Sequence, residues 1–477
     1  MSVIKFGTDG WRGVIAREFT FANVAIVAQA VAMYVKAEGQ TGKGIIVGYD
    51  NRFLGSLFAE RVAEVLAANG IPVWLCDAPA PTPAVASMIA ERSLAGAMMV
   101  TASHNPPEYN GIKFIPDYAG PATPEITDAI TRYVREVEAG QVEVQVVPLA
   151  QATKEGLIAY ECPRQPYGER LKQVVDGAVI RQAGLRVVVD PMHGSGIGYL
   201  EEIAAELGVE VVACLRHHKD PMFGGRLPEP CEEELEELAR LTQEHGASLG
   251  LALDGDADRF GIIDPSGAYV TPNEVFILLA HDQLRYKGGL QKIARTVATT
   301  HRIDRMAAAY GVEVVETPVG FKYIGQEILK GAGIGGEESG GLSISSHIPE
   351  KDGLLVGLLM LELTARTGRT PKQLLAELEQ TYGTAVSERV DARISPEQKD
   401  QVLAVMRDWT AERLDRWLVT KKTAVDGVKL VFDTGAWTLV RPSGTEPLVR
   451  IYLEAGDREE LNGLKTALFA VLGLSAI

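Results

Sequence analysis

Cysteine is scarce in this chain: Cys76, Cys162, Cys214 and Cys231 are scattered through 477 residues, and no two make a CxxC pair. That speaks against a zinc ribbon or a disulfide framework and fits a reducing, cytoplasmic setting. Long apolar runs are lacking too. The greasiest predicted helix, Leu354 to Leu363, is interrupted by Gly357 and Glu362 and is too short to cross a bilayer, so no membrane partner is expected. The stretch Met1 to Gly10 has no apolar core of the signal-peptide kind. Positive charge is the third shortage: 47 Lys and Arg stand against 63 Asp and Glu, a net charge of −16. This argues against nucleic acid or an anionic membrane as partner. It leaves room for a small anionic substrate, because a site's local field can oppose the global one.

What is present is a soluble globular composition, 46% hydrophobic and 23% charged. The length implies three or four domains of ~100–150 residues. In the first segment Val24 to Val35 has helical spacing, followed by strand Ile45 to Tyr49, helix Leu57 to Ala68, strand Val73 to Cys76 and helix Ala84 to Glu91. A small apolar run, Ala95 to Val100, then reads as a buried strand. Such alternation implies a mostly parallel sheet with helices on its faces. The pattern lapses between Gly140 and Thr153, then resumes with strand Leu185 to Asp190, helix Tyr199 to Leu207, strand Val209 to Leu215, helix Glu232 to Glu244 and strand Ser248 to Leu253. A third round follows: Thr296 to Thr300, Val312 to Val315 and Gly331 to Gly336. After Gly383 a long charged helix, Pro396 to Trp417, precedes closely spaced strands Val428 to Phe432, Trp437 to Val440 and Val449 to Leu453. The expected domains are 1–153, 154–262, 263–380 and 381–477, the first three suggesting a triplication by element order.

The chemistry gathers on polar loops that follow apolar runs, where open α/β sheets bind ligands. Thr101-Ala-Ser-His-Asn-Pro106 puts Ser103 just past a strand, with His104 beside it and Lys113 ten residues on. Asp254, Asp256 and Asp258 crowd three carboxylates at spacing two, with only Gly255 and Ala257 between them. Their repulsion calls for a cation, and oxygen ligands suit Mg2+ or Mn2+ before Ca2+. The offsets of an EF-hand are absent. Arg441, Ser443, Thr445 and Arg450 around Gly444 are donors matched to a phosphate. Glu337 and Ser339, between glycines, offer an acceptor and a donor of the kind that hold sugar hydroxyls. His193, His217, His218, His245 and His281 read as surface or structural histidines, and Gly194-Ser-Gly-Ile-Gly198 as a tight turn without Rossmann support.

Together these loops resemble the α-D-phosphohexomutase family over essentially the whole chain. Phe6-Gly-Thr-Asp-Gly-Trp-Arg-Gly13 is similar to its N-terminal signature, TASHNP (101–106) to its phosphoserine loop and DGDADR (254–259) to its metal loop. GEESGG (336–341) is similar to its sugar loop, and RPSGTEP (441–447) to its phosphate loop. The resemblance implies three similar α/β domains with mixed sheets plus a smaller C-terminal α+β domain around a central cleft. It further implies that Ser103 carries a phosphoryl group, that Ser103, Asp254, Asp256 and Asp258 hold one Mg2+, and that a hexose 1,6-bisphosphate forms as intermediate and activator. Lys113 and Lys351 are then the expected acid and base, with Arg12 and His104 at the phosphoryl group. Arg259, Gly320, Glu337, Ser339, Arg441, Ser443, Gly444, Thr445 and Arg450 are expected on the substrate.

Glu316-Thr-Pro-Val-Gly-Phe-Lys and His347-Ile-Pro-Glu-Lys-Asp-Gly353 look most like phosphoglucomutases, so glucose phosphates are expected ahead of mannose phosphates. Enzymes acting on both sugars often carry histidine where Gly341 stands, which turns attention to Lys351 as base. A phosphoglucosamine mutase, a metal-dependent sugar phosphatase and a catalytically dead sensor are the alternatives. The partners expected are small hexose phosphates, for a monomer or homodimer.

Overall fold

The computed structural model describes residues 4–7, 10–442 and 448–474. Strands Ile45–Tyr49, Gly96–Val100 and Leu249–Leu253 are buried along their whole length. Such strands contain only apolar and small residues because helices cover both faces of a parallel sheet.

One strand order occurs three times. In the first sheet Ile45–Tyr49 lies between parallel Val73–Cys76 and Gly96–Val100, and Tyr109–Pro116 turns back antiparallel on the latter. In the second, Arg186–Asp190 lies between Glu210–Cys214 and Leu249–Leu253, with Phe260–Ile263 antiparallel beyond. In the third, Lys292–Thr296 lies between Glu313–Thr317 and Ile334–Gly336, with Leu342–Ile344 antiparallel beyond. The mixed sheets implied by the family resemblance are thus observed, each adding an antiparallel strand to the mostly parallel sheet that element order pointed to. The turn from the third to the fourth strand falls at 101–108, 254–259 and 337–341, so one topological corner carries the serine, aspartate and sugar-loop motifs alike.

The first sheet is extended by Trp11–Val14 at one edge and Ile158–Glu161 at the other, and the second by Tyr269–Val270. These last two strands lie past the expected boundaries at 153/154 and 262/263. The C-terminal sheet is antiparallel, from Val386–Arg393 through Leu448–Ala455, Trp437–Pro442, Val428–Phe432 and Trp417–Thr423 to Arg413–Leu414. Helices Pro396–Arg407 and Arg458–Leu472 close its core through Met406, Leu461 and Leu468, packed with Leu430 and Ile451.

Two sequence expectations are corrected. Thr296 to Thr300 is not a strand; the strand is Lys292–Thr296, and the threonines beyond it spend their hydroxyls on loop contacts. Thr296 Oγ1 lies 2.9 Å from Thr299 Oγ1 and donates to Glu338 Oε2 at 2.9 Å. The helix expected over Pro396 to Trp417 stops at Arg407, and Trp417–Thr423, rich in β-branched and aromatic residues, joins the sheet instead. Among the described residues no helix is long and apolar enough to cross a membrane.

Candidate active site

Past Val100 the chain is fixed by hydrogen bonds. Thr101 Oγ1 accepts the Ser103 amide at 2.8 Å and donates to Asp50 Oδ2 at 2.6 Å. Ser103 is left-handed (φ 51°) and buried. Arg52 gathers the loop by donating to the carbonyls of Ser103 (2.6 Å), Asn105 (2.5 Å), Pro106 (2.8 Å) and Tyr109 (2.9 Å). Its Nε stands 3.3 Å from Asp50 Oδ2. Burial pushes the Asp50 carboxyl up to about 6 against the pull of Arg52 and Thr101. Asp50 and Arg52 were missed in the sequence, although Asp50-Asn-Arg52 follows an apolar strand just as the other loops do. Arg12 donates to Asn105 Oδ1. His104 Nδ1 lies 3.3 Å from Ser103 Oγ. Burial, then Arg259 and Arg12, hold its imidazole well below the usual pKa and so neutral.

The second corner meets the first directly. Ser103 Oγ donates to Asp254 Oδ2 at 2.7 Å. Asp254, Asp256 and Asp258 are fully buried, and one oxygen from each lies within 4.8 Å of the others. Lys113 Nζ donates to Asp256 Oδ2 and Asp258 Oδ2 at 2.8 Å each, and Thr82 Oγ1 to Asp256 Oδ2 at 2.6 Å. Burial alone opposes ionisation of Asp256, but Lys113 and the Thr82 hydrogen bond outweigh it and hold the carboxyl below its ordinary range. Asp254, buried beside two like charges, is pushed up. Asp256 Oδ1 and Asp258 Oδ1, although buried, accept no hydrogen bond from any described residue. Orphaned carboxylate oxygens are costly unless a cation takes them, so this donor set fits a hard divalent ion.

From the third sheet Lys351 Nζ reaches Asp258 Oδ2 at 3.0 Å, lies 3.5 Å from Glu350 Oε1 and stands 5.8 Å over the Phe321 ring. Gly341 makes room for it: a Cβ there would meet Lys351 Cδ at 2.8 Å, Glu337 Oε2 at 3.1 Å and the Phe321 ring at 3.1 Å. Glu337 Oε1 accepts the Gly320 amide at 2.9 Å, and Ser339 Oγ lies 3.5 Å from Oε2. Burial, then Glu338, pushes the Glu337 carboxyl up to about 7. The Arg259 amide donates to Asp254 Oδ1 at 3.0 Å, and its guanidinium lies 3.4 Å from Glu229.

Arg441 and Arg450 face each other in register on neighbouring strands. Arg441 Nη2 lies 2.9 Å from Asp426 Oδ2, which also accepts the Val319 amide at 3.1 Å, so the arginine is tied to the turn that carries Gly320. Ser443, Gly444 and Thr445 lie outside the described residues. Ser103, His104, Lys113, the three aspartates, Arg259 and Lys351 are brought into one cluster, with the Glu337 loop against it.

A serine hydroxyl on a buried carboxylate triad, two lysines and a sugar-type loop from three like sheets define a phosphohexomutase. Four consecutive family descriptions match the chain: "Phosphoglucomutase/phosphomannomutase, alpha/beta/alpha domain" I over residues 3–141, II over 165–267 and III over 271–382, then the C-terminal domain over 389–471. The chain belongs to the phosphoglucomutase/phosphomannomutase family. It is 32% identical to a phosphoglucomutase/phosphomannomutase of Thermococcus kodakarensis, with 95% of each chain covered. It is 30% identical to a phosphoglucosamine mutase of Carboxydothermus hydrogenoformans, with 98% of each covered. A Thermus thermophilus crystal structure assigned as a phosphomannomutase superposes with a TM-score of 0.85 at 34% identity, covering 99% of this chain and all of that one.

Proposed function

We propose that this enzyme interconverts hexose 1-phosphate and hexose 6-phosphate, glucose ahead of mannose, through a phosphoserine at Ser103 and a hexose 1,6-bisphosphate. The observation that carries the reading is the Ser103 hydroxyl at 2.7 Å from Asp254, within a carboxylate cluster that two lysines also reach. In the forward step a sugar oxygen attacks the phosphorus on Ser103. The new O–P bond forms, the Oγ–P bond breaks with its electron pair going to Oγ, and the sugar hydroxyl's proton passes to whichever of Lys351 and Lys113 enters the step as a neutral amine, released from its carboxylate partner. The bisphosphate then turns, and its other phosphoryl returns to Ser103 while the protonated lysine supplies the leaving oxygen's proton.

Neutral His104 and the Arg12 guanidinium hold the phosphoryl oxygens. Asp254, Asp256 and Asp258 would hold Mg2+, which supplies positive charge at the transferring phosphoryl group. Glu337 and Ser339 grip sugar hydroxyls, with Gly320 and Arg259 beside them. Arg441, Ser443, Gly444, Thr445 and Arg450 hold the phosphate that is not reacting. Glucose preference is supported by the two loops at 316–322 and 347–353, which look most like phosphoglucomutases.

Incubation with Mg2+ and glucose 1-phosphate should give glucose 6-phosphate. Free phosphate would indicate a phosphatase, and no turnover a sensor. The relatives named as phosphoglucosamine mutases favour one second reading. Side-by-side kcat/KM for glucose, mannose and glucosamine 1-phosphates separates it, and a preference for either of the latter two overturns the glucose assignment.

A further inference from the structure

Outside the catalytic cluster, His193, His218 and Asp220 each aim a ligand atom into one small volume, all three within 4.8 Å of one another. We infer that they form a second divalent-metal site, of the nitrogen-bearing kind that takes Zn2+, Co2+ or Ni2+ rather than Mg2+. His193 Nδ1 lies 2.9 Å from the His218 carbonyl oxygen, which can only accept, so Nδ1 carries the hydrogen and Nε2 keeps its lone pair. A ring N–H given to a backbone carbonyl is the support that metal-bound histidines ordinarily have. Nε2 is left open by Gly224 (φ +66°), where a Cβ would stand 3.3 Å from it. The Asp220 carboxylate is oriented by the amides of Met222 (2.9 Å) and Gly224 (3.0 Å), one on each oxygen, and both oxygens retain a lone pair. The two imidazoles meet edge to face with centroids 4.5 Å apart.

Ligand atoms within 4.8 Å of one another are near the spacing that metal bonds of ~2.0–2.2 Å allow, and the exposed His218 is free to adjust its ring to complete them. The consequence reaches the serine loop. His193 follows strand Arg186–Asp190, and its carbonyl and that of Gly194 accept Asn51 Nδ2 at 2.9 and 2.8 Å. Phe223, three residues past Asp220, lies 5.0 Å beneath the guanidinium of Arg52, which gathers the Ser103 loop. Occupancy therefore fastens the 218–225 loop over the residue that holds the nucleophile's backbone.

The test is Co2+ titration of the full chain carrying Asp256→Asn, followed by visible d–d absorption, with Zn2+-dependent Tm alongside. One Co2+ per chain with the spectrum of a nitrogen-bearing site, and a Tm raised by Zn2+, are expected. His218→Ala and Asp220→Ala should each weaken Co2+ binding by at least ~10-fold, the lower bound seen even for changes to residues that only support a ligand. His218→Ala should leave Mg2+-supported turnover unchanged. No Co2+ spectrum and no Tm shift, or binding that survives both substitutions, would overturn the site whatever the sugar specificity proves to be.

Discussion

Two charged clusters join neighbouring domains in this molecule, and they differ in how their charges are satisfied. Between the third and fourth sheets, Lys429 Nζ donates to Val297 O (2.7 Å) and Glu316 Oε2 (3.1 Å), meets His301 Nε2 at 2.7 Å and lies 4.2 Å over the Trp437 ring. Arg295 forks onto Asp304 at 2.7 Å twice and reaches Glu316 at 2.7 Å. Glu454 takes the His301 amide (2.9 Å), the Trp437 indole (3.0 Å) and Ser387 Oγ (2.9 Å). Each of these charged groups has a hydrogen-bond partner, and Val297, Leu439 and Tyr452 pack beside them. Around Asp254–Asp258 the carboxylates are more deeply buried than Glu316 or Asp304, yet two of their oxygens accept no hydrogen bond from any described residue. A satisfied cluster fastens domains together; an unsatisfied one is arranged for something that arrives.

That contrast can be broken most severely at the serine. Ser103→Ala should reduce phosphoryl transfer to background, and intact mass should show a phosphate on wild-type Ser103 that the variant lacks. Asp256→Asn or removal of divalent metal should also abolish turnover. The asparagine variant should stay folded, because Lys113 keeps its bond to Asp258, but melt somewhat lower than wild type, since the carboxylate it loses is held ionised by Lys113 and Thr82.

Lysines sharpen the comparison further. Lys351→Met should lower kcat by ~10²–10⁴ with little change in KM. Lys429→Met should instead cost ~3–5 kcal/mol of stability, the usual result of removing one partner from a buried pair, and denaturant midpoints will read it. Arg441→Ala should weaken transition-state binding ~10- to 150-fold, as for one lost charge-assisted hydrogen bond. It should also make turnover depend on added glucose 1,6-bisphosphate.

The smallest effect is a pH slope. Burial raises the Glu337 carboxyl to about 7, so the folded chain keeps a proton that the unfolded chain gives up near the ordinary ~4.3. Stability should therefore fall as pH rises from ~4.3 to about 7, and sugar binding should improve as the acceptor ionises through about 7. Glu337→Gln should flatten both slopes in parallel Tm and KM profiles.

Much of this was legible because the signals are local. A run of small apolar residues ending in a polar turn marked Ser103, the aspartates and the Glu337 loop, and all three turns occupy the same corner of like sheets. Arg52 escaped notice because its partners are backbone carbonyls, which leave no trace in residue type. The strand Val386–Arg393 alternates apolar with charged side chains on a half-exposed sheet edge, a pattern too weak to register. Thr296 to Thr300 misled because β-branching favours strands, whereas a hydroxyl can equally serve a loop.

The contacts that gather around Ser103 from the other domains are absent from each sheet taken alone. Ser103 and Asp254 stand 151 positions apart, and Lys113 and Asp256 stand 143 apart. A growing or refolding chain can complete the first sheet, helices included, while its serine still faces water. The second and third sheets must dock before the aspartates and Lys351 arrive. Return of catalysis after dilution from denaturant should accordingly lag behind return of far-ultraviolet dichroism, and ribosome-bound fragments ending before residue 254 should be structured yet inert. Turnover thus reports on assembly, the last event in the history of each molecule.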